Sequence, residues 1–151
     1  INNTIIRSSP VQVGTSNWSQ VNAGPYQHTI GIKLDNTLWS WGLNSSGQLG
    51  LNNTINRSSP VQIGTNLWVS AIPGFSHTVG LNSLNIAYAW GLNSLGQLGL
   101  NDTSNRSSPV QLATTFIDSQ VAAGGNNSSV LDRYGVLYNW GDNSYGQLGD
   151  G

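Results

Sequence analysis

The sequence predicts an all-β chain made of repeats of about 50 residues, each a blade of four short antiparallel strands. Three observations carry that prediction. The segment NSxGQLG occurs three times, always after a Trp-Gly pair: WGLNSSGQLG from Trp41, WGLNSLGQLG from Trp90 and WGDNSYGQLG from Trp140. These pairs lie 49 and 50 residues apart. A second block, RSSPVQ, starts at Arg7, Arg57 and Arg106, with spacings of 50 and 49. Between the blocks stand short alternating runs broken by Gly, Pro and Asn, with no helical period over 11 residues or more. Two markers with one period describe an array whose units bury their apolar faces against one another. The period divides the chain into residues 1–50, 51–99 and 100–151.

The second unit justifies the strands in order. Residues 51–59 are polar and run into Pro60, an irregular connection. Residues 61–63 alternate, and residues 67–72 form a second apolar run that Pro73-Gly74 breaks. Residues 77–82 alternate again, then Asn82, Ser83 and Asn85 mark a turn. Residues 86–90 place Ala87 and Ala89 on one face and Ile86, Tyr88 and Trp90 on the other. A glycine-bounded turn, residues 91–99, closes the unit. Four short strands with turns between them are the pattern of a propeller blade.

The repeats keep large rings in register. Trp18, Trp68 and Ile117 each follow a proline by eight residues, and Trp39, Tyr88 and Tyr138 each precede the Trp-Gly tryptophan by two. The expected core of the repeat is therefore Trp41, Trp90 and Trp140, with Leu49, Leu98 and Leu148 re-entering it after the turn. Gly47, Gly96 and Gly146 stand in that turn, where φ above zero is needed, behind Asn44, Asn93 and Asn143.

The composition excludes several function classes. The formal net charge is −1 and only 7% of residues are charged, against roughly 25% in typical domains. Glu is absent and Lys33 is the only lysine. No basic stripe exists to release counterions, so no nucleic acid is expected as partner. No apolar run is long enough for a membrane helix. Without cysteine there are no disulfides or thiolate metal sites. Nine Asn-x-Ser/Thr sequons, including Asn2, Asn44 and Asn101, leave a glycan possible, although a chain rich in Asn, Ser and Thr produces them by chance. The uncharged polar surface favours an extracellular, virion or cell-surface setting. The first residue is not Met, so the chain is expected to begin inside something larger or after processing.

The blocks WGxNSxGQLG and RSSPVQ, with PGFSHTVGL from Pro73, resemble the regulator-of-chromosome-condensation repeat over the whole chain. The resemblance implies a β-propeller of four-stranded blades, in which a complete ring normally has seven. Three units cannot close such a ring, so further blades are expected, from a longer polypeptide or from identical chains meeting head to tail. The family's GxxHT segment is matched by His28 and His77, while Asn127 takes that place in the third unit. A repeated His that one unit lacks reads as a structural hydrogen-bonder. The repeated Arg7, Arg57 and Arg106 are expected to tie a loop to carbonyls of the neighbouring blade.

Catalysis finds little material. A glycosidase needs a carboxylate pair, yet the candidates are Asp35, Asp102, Asp118, Asp132, Asp142 and Asp150, most of them turn residues. Scattered His and Asp lack zinc-ligand spacing, and the loop of Asn52, Asn101 and Asp102 is too weakly acidic for calcium. No catalytic residue, metal or cofactor is expected. The leading expectation is a non-enzymatic structural or protein-interaction scaffold. A carbohydrate-binding module using the loop aromatics Tyr26, Phe75 and Tyr145 is the second. A guanine-nucleotide-exchange-type regulator, as in the founding member of the family resembled, is the third.

Overall fold

The computed structural model describes residues 3–113, 116 and 119–151. Ile117, Asp118 and Asn2 lie outside the described residues. Ten strands and no helix occur among the described residues. They are β1 (Trp18–Ala23), β2 (His28–Lys33), β3 (Thr37–Gly42), β4 (Arg57–Pro73), β5 (His77–Asn82), β6 (Ala87–Gly91), β7 (Arg106–Gln111), β8 (Gln120–Ala123), β9 (Asn127–Leu131) and β10 (Leu137–Gly141). All pairings are antiparallel.

The strands stand near their expected places, but their grouping differs from the sequence period. The 17-residue strand β4 belongs to two blades. Its first part pairs with β3, through Ser40↔Val61 and Gly42↔Arg57. Its last part pairs with β5, through Ser70↔Leu81 and Ile72↔Val79. Residues 61–63 therefore complete the sheet of the preceding unit rather than opening their own. In the second unit the fourth strand is β7, which comes from the next RSSPVQ block and pairs with β6. Among the described residues the third blade holds three strands, in the order β10-β9-β8. The reason is connectivity: each outer strand is encoded one repeat downstream of the blade it closes.

Within a blade the rings stack as one unit. Trp68 meets Tyr88 at 5.4 Å and Trp90 at 5.6 Å, both edge-on. Trp18 packs edge-on against Trp39 and tilted, at 55°, against Trp41. The central strand must be bare beneath the indole: a Cβ on Gly80 would stand 2.7 Å from the Trp68 ring, and one on Gly31 2.8 Å from Trp18. Val130 occupies this position in the third blade, where the ring that meets Tyr138, at 5.1 Å, belongs to Phe116. Two apolar clusters result, one around Ile30, Leu38, Ile63 and Trp68, the other around Leu81, Ala89, Leu98 and Val130.

Candidate interaction face

Hairpin geometry sorts the loops into two ends. Residues 24–27, 74–76 and 124–126 turn at the same end as the long WG-NSxGQLG segments. Leu43 N donates to Gln27 O, Leu92 N to Ser76 O and Asp142 N to Asn126 O, which ties each pair together. This end carries the repeat's longest connections on rigid strands, the usual place for a binding surface.

Buried amides set the loops. Asn44 is fully buried; its Nδ2 donates to the carbonyls of Asn53 and Ile55, and its Oδ1 accepts from Leu49 N. Asn93 repeats this with Asp102 O and Leu98 N. With its Nδ2 committed inside the fold, the Asn44 sequon is closed to glycan attachment. The turns run through Gly47, Gly96 and Gly146 at φ of 81°, 74° and 76°, left-handed conformations that suit glycine.

Sequence reasoning missed the joint between blades. The backbone carbonyl of Gln48 accepts from Trp90 Nε1 at 3.0 Å and from Thr78 Oγ1 at 3.1 Å. That hydroxyl in turn meets His28 Nε2 at 3.3 Å. One repeat later Gln97 O accepts from Trp140 Nε1 at 3.0 Å and Ser128 Oγ at 2.7 Å, with His77 Nε2 at 2.9 Å from that hydroxyl. A hydroxyl has one proton, and in both joints it goes to the carbonyl, so each imidazole Nε2 is the donor; burial favours the neutral form of both rings. Desolvation by burial holds His77 down to about 4, with the charge of His28 adding to it, and lowers His28 as well. These Nε2 hydrogen bonds run to hydroxyls rather than to a carboxylate, which suits a structural role. The signal was present in the sequence as the repetition of Gln48, Gln97 and of Thr78, Ser128, but repetition alone does not say that a main-chain carbonyl is the shared acceptor.

The predicted core residues are not buried alike. Trp90, Leu49 and Leu98 are fully buried, as are His28 and His77. Trp41, Trp140 and Leu148 are partly buried. The middle blade alone has a blade on each side within the chain. A correction concerns arginine. Arg57 donates to Asn56 O and Asn53 Oδ1, and Arg106 to Ser104 O and to the Asp102 carboxylate at 2.6 Å. Each guanidinium thus staples its own loop, four residues back, rather than the neighbouring blade.

The aspartates serve turns. Asp35 accepts from Thr37, Asp132 from Tyr134 N and Val136 N, and Asp142 from Ser144 N. Hydrogen bonds from Thr37, Ser104 and Ser144 lead in holding Asp35, Asp102 and Asp142 below the usual carboxylate range. Asp150 Oδ1 accepts from Asn143 Nδ2. Among the described residues no group of three His, Cys, Asp or Glu could hold a metal.

The three candidate loop aromatics are exposed. Tyr26 and Phe75 are about half exposed and their rings pack at 6.2 Å, tilted 58° to each other. The next loop offers only Gly125, which Phe75 covers, so no coplanar row forms. Tyr145 is 95% exposed and sits in the NSxGQLG turn, where Ser46 and Leu95 are its counterparts.

The chain is matched by a family model of the regulator of chromosome condensation (RCC1) repeat at residues 35–81 and 86–131. A second model of that repeat matches residues 18–48. No curated protein matches it. Among solved structures, human WBSCR16 is similar with a TM-score of 0.79 and 27% identity, over 93% of this chain and 39% of that one. Prp20p from Saccharomyces cerevisiae, described with its binding properties to Gsp1p and histones, follows at 0.75 and 25%, over 89% of this chain and 34% of that one. The C-terminal domain of gp131 from bacteriophage phiKZ shares the fold at 0.55 and 18%, over 88% of this chain and 38% of that one. The chain thus spans about two-fifths or less of each.

Proposed function

The chain belongs to the regulator of chromosome condensation (RCC1) repeat family, and on that premise we propose that it is a non-catalytic β-propeller scaffold that binds a protein partner through the end carrying its NSxGQLG loops. The observation that carries this reading is the division of labour within that loop. The Asn, Gly, Gln and Leu positions are the same in all three copies and serve the fold, while the outward position changes from Ser46 to Leu95 to Tyr145. Leu95 is 48% and Tyr145 95% exposed. A constant frame with a varying tip is what selective contact requires, and apolar tips suit a protein surface.

The structural neighbour Prp20p is described as binding proteins, which supports the class of partner but not its identity. Fold likeness does not transfer a partner, and no residue outside the scaffold carries the exchange activity over. The three sequence repeats, taken as 1–50, 51–99 and 100–151, are the units that present the tips. An extracellular or surface setting belongs to this reading and is supported by the 7% of charged residues.

The test replaces the tips and nearby aromatics together: Tyr26→Ser, Phe75→Ser, Leu95→Ser and Tyr145→Ser. A control carries Leu84→Ser and Tyr134→Ser at the opposite end. Cross-linking in the native extract should retain a partner with the wild type and the control and lose it with the tip variant. Equal retention by all three would reject the reading. Binding to a glycan array that the Tyr26 and Phe75 changes abolish would favour the carbohydrate alternative, for which the tilted pair of rings is the only support.

A further inference from the structure

The groove between the first two blades holds an arginine without a carboxylate. Its walls are the outer strands of those blades. Val61 and Ile63 come from the first part of β4, which pairs with β3, and Pro109 from β7, which pairs with β6. The loop after the first NSxGQLG segment crosses between them, where Asn52 N donates to Ser107 O at 2.7 Å. Leu51 and the buried Trp68 line the groove too. It encloses about 420 Å³, a size that suits a small ligand. Both blades lie within the chain, so strand pairing fixes both walls.

One repeat apart, two loops hold the same arginine differently. Arg106 Nη2 donates to the Asp102 carboxylate at 2.6 Å. That carboxylate also accepts from Ser104 N at 2.8 Å and Asn93 Nδ2 at 3.1 Å. Asp102 lines the corresponding groove between the second and third blades. In the second repeat Asn53 stands in its place. Asn53 Oδ1 accepts from Ile55 N at 2.9 Å, but from Arg57 Nη2 only at 3.5 Å. Arg57 Nη1 reaches Asn56 O at 3.3 Å. Both acceptors are neutral and both contacts long, whereas a guanidinium–carboxylate pair closes to about 2.7–2.9 Å.

The groove between the first two blades offers donors and no acid. Arg57 lines it, and no Asp or Glu stands beside it there. Trp68 adds a buried indole Nε1–H that has no hydrogen-bond partner among the described residues. A Cβ on Gly80 would meet the Cε3–Cζ3 edge of that ring, so Nε1 lies at the opposite edge. Val61, Ile63 and Pro109 make the walls apolar, which lowers the local dielectric and strengthens a charge pair formed between them.

We propose that this groove binds the carboxylate of a small acidic ligand, held by the Arg57 guanidinium in the place that Asp102 fills for Arg106. The neutral Asn53 leaves the guanidinium its full charge. The Trp68 N–H is the second donor, and the apolar walls take the short aliphatic part of the ligand. The carboxylate belongs to a free acid or to an acidic side chain of a peptide. This site is separate from the loop tips and does not rest on that reading.

The probes are the α-amide of N-acetylglutamate, its neutral isostere from glutamine, and acetate. Each is titrated into the full-length chain while the tryptophan indole N–H resonances are followed. Trp68→Phe identifies the Trp68 signal. The glutamate probe should shift that signal with saturation, about tenfold more tightly than the glutamine probe. Arg57→Gln should abolish the shift. Asn53→Asp, which gives Arg57 the carboxylate that Arg106 already has, should weaken binding about tenfold. Arg106→Gln should leave it unchanged. Within the proposal, tighter binding of the glutamate probe than of acetate assigns the carboxylate to a peptide side chain, and equal binding assigns it to a free acid. The proposal is overturned by the absence of a saturable shift, by equal binding of the glutamine probe, or by undiminished binding in Asn53→Asp.

Discussion

Trp90 donates its indole Nε1–H to the main-chain carbonyl of Gln48 at 3.0 Å, across the boundary between two blades. The same carbonyl takes the Thr78 hydroxyl, so one oxygen uses both lone pairs to hold a strand and a ring of the next blade. Because the acceptor is main chain, its position is set by the whole NSxGQLG turn. The turn and the ring are therefore one device, repeated at Gln97 with Trp140 and Ser128.

Trp90→Ala should cost about 3–5 kcal/mol, since it empties a fully buried ring site. Trp90→Phe should cost less, because most of the volume stays and Gln48 O keeps Thr78. Trp140→Ala, at a half-buried ring, should fall below Trp90→Ala. Urea unfolding followed by far-UV circular dichroism ranks the three. A Trp90→Ala midpoint indistinguishable from wild type would show that the ring is not part of the joint.

Acid should loosen the joint. His77 is neutral in the fold, held down to about 4 by burial, whereas an unfolded His titrates near 6.5. The unfolded chain thus binds more protons between these values. The stabilisation is complete above pH 6.5 and is lost as pH falls toward 4, by about 3 kcal/mol at most. His28 adds to the loss in the same direction. His77→Asn, the residue the third repeat carries as Asn127, should flatten the slope of stability against pH between 6.5 and 4.5. An unchanged slope would remove His77 from the explanation.

Glycine substitutions should separate space from backbone strain. A Cβ at Gly74 would stand 2.2 Å from His77 Cε1 and 2.7 Å from Gly124 O, so Gly74→Ala must displace the buried ring. A Cβ at Gly96 meets nothing within 4 Å, and its φ of +74° is the sole penalty. Gly96→Ala should cost about 1–2 kcal/mol and Gly74→Ala more. Thermal melts of the two variants check the order.

Arg106→Ala should cost about 1 kcal/mol or less. Its ion pair with Asp102 is partly exposed and lies within one loop, and such pairs contribute little. The difference from wild type should shrink further in concentrated salt. A large, salt-independent loss would mean that the guanidinium reaches the neighbouring blade, as the sequence alone suggested.

The element types were legible because the relevant physics is local. Alternating apolar residues, Pro73-Gly74 and the Asn-Gly turns each act over a few residues, and three copies repeat the same message. The loop positions of Tyr26 and Phe75 were also legible, as both follow turn residues. The shared acceptor at Gln48 was not, because a main-chain carbonyl has no residue identity to read. The seat of Arg57 was misread for a related reason: its partners, Asn56 O and Asn53 Oδ1, lie in its own turn and only the folded loop brings them within reach.

The sequence by itself determined the repeat, its strands, its turns and the rings that fill it. Those follow from periodicity, from φ restrictions at Gly47, Gly96 and Gly146, and from the size of Trp and Leu. Tertiary structure alone decided which strands share a sheet. RSSPVQ reads as the start of a unit, yet β4 leaves one blade and enters the next, because an outer strand must pair with an edge that precedes it in the chain. It also decided that equivalent residues differ in burial: Leu38 is covered by Ile63, while Leu137, at the same repeat position, stands 59% exposed. A repeated sequence encodes equal residues, and only neighbours in space make their environments unequal.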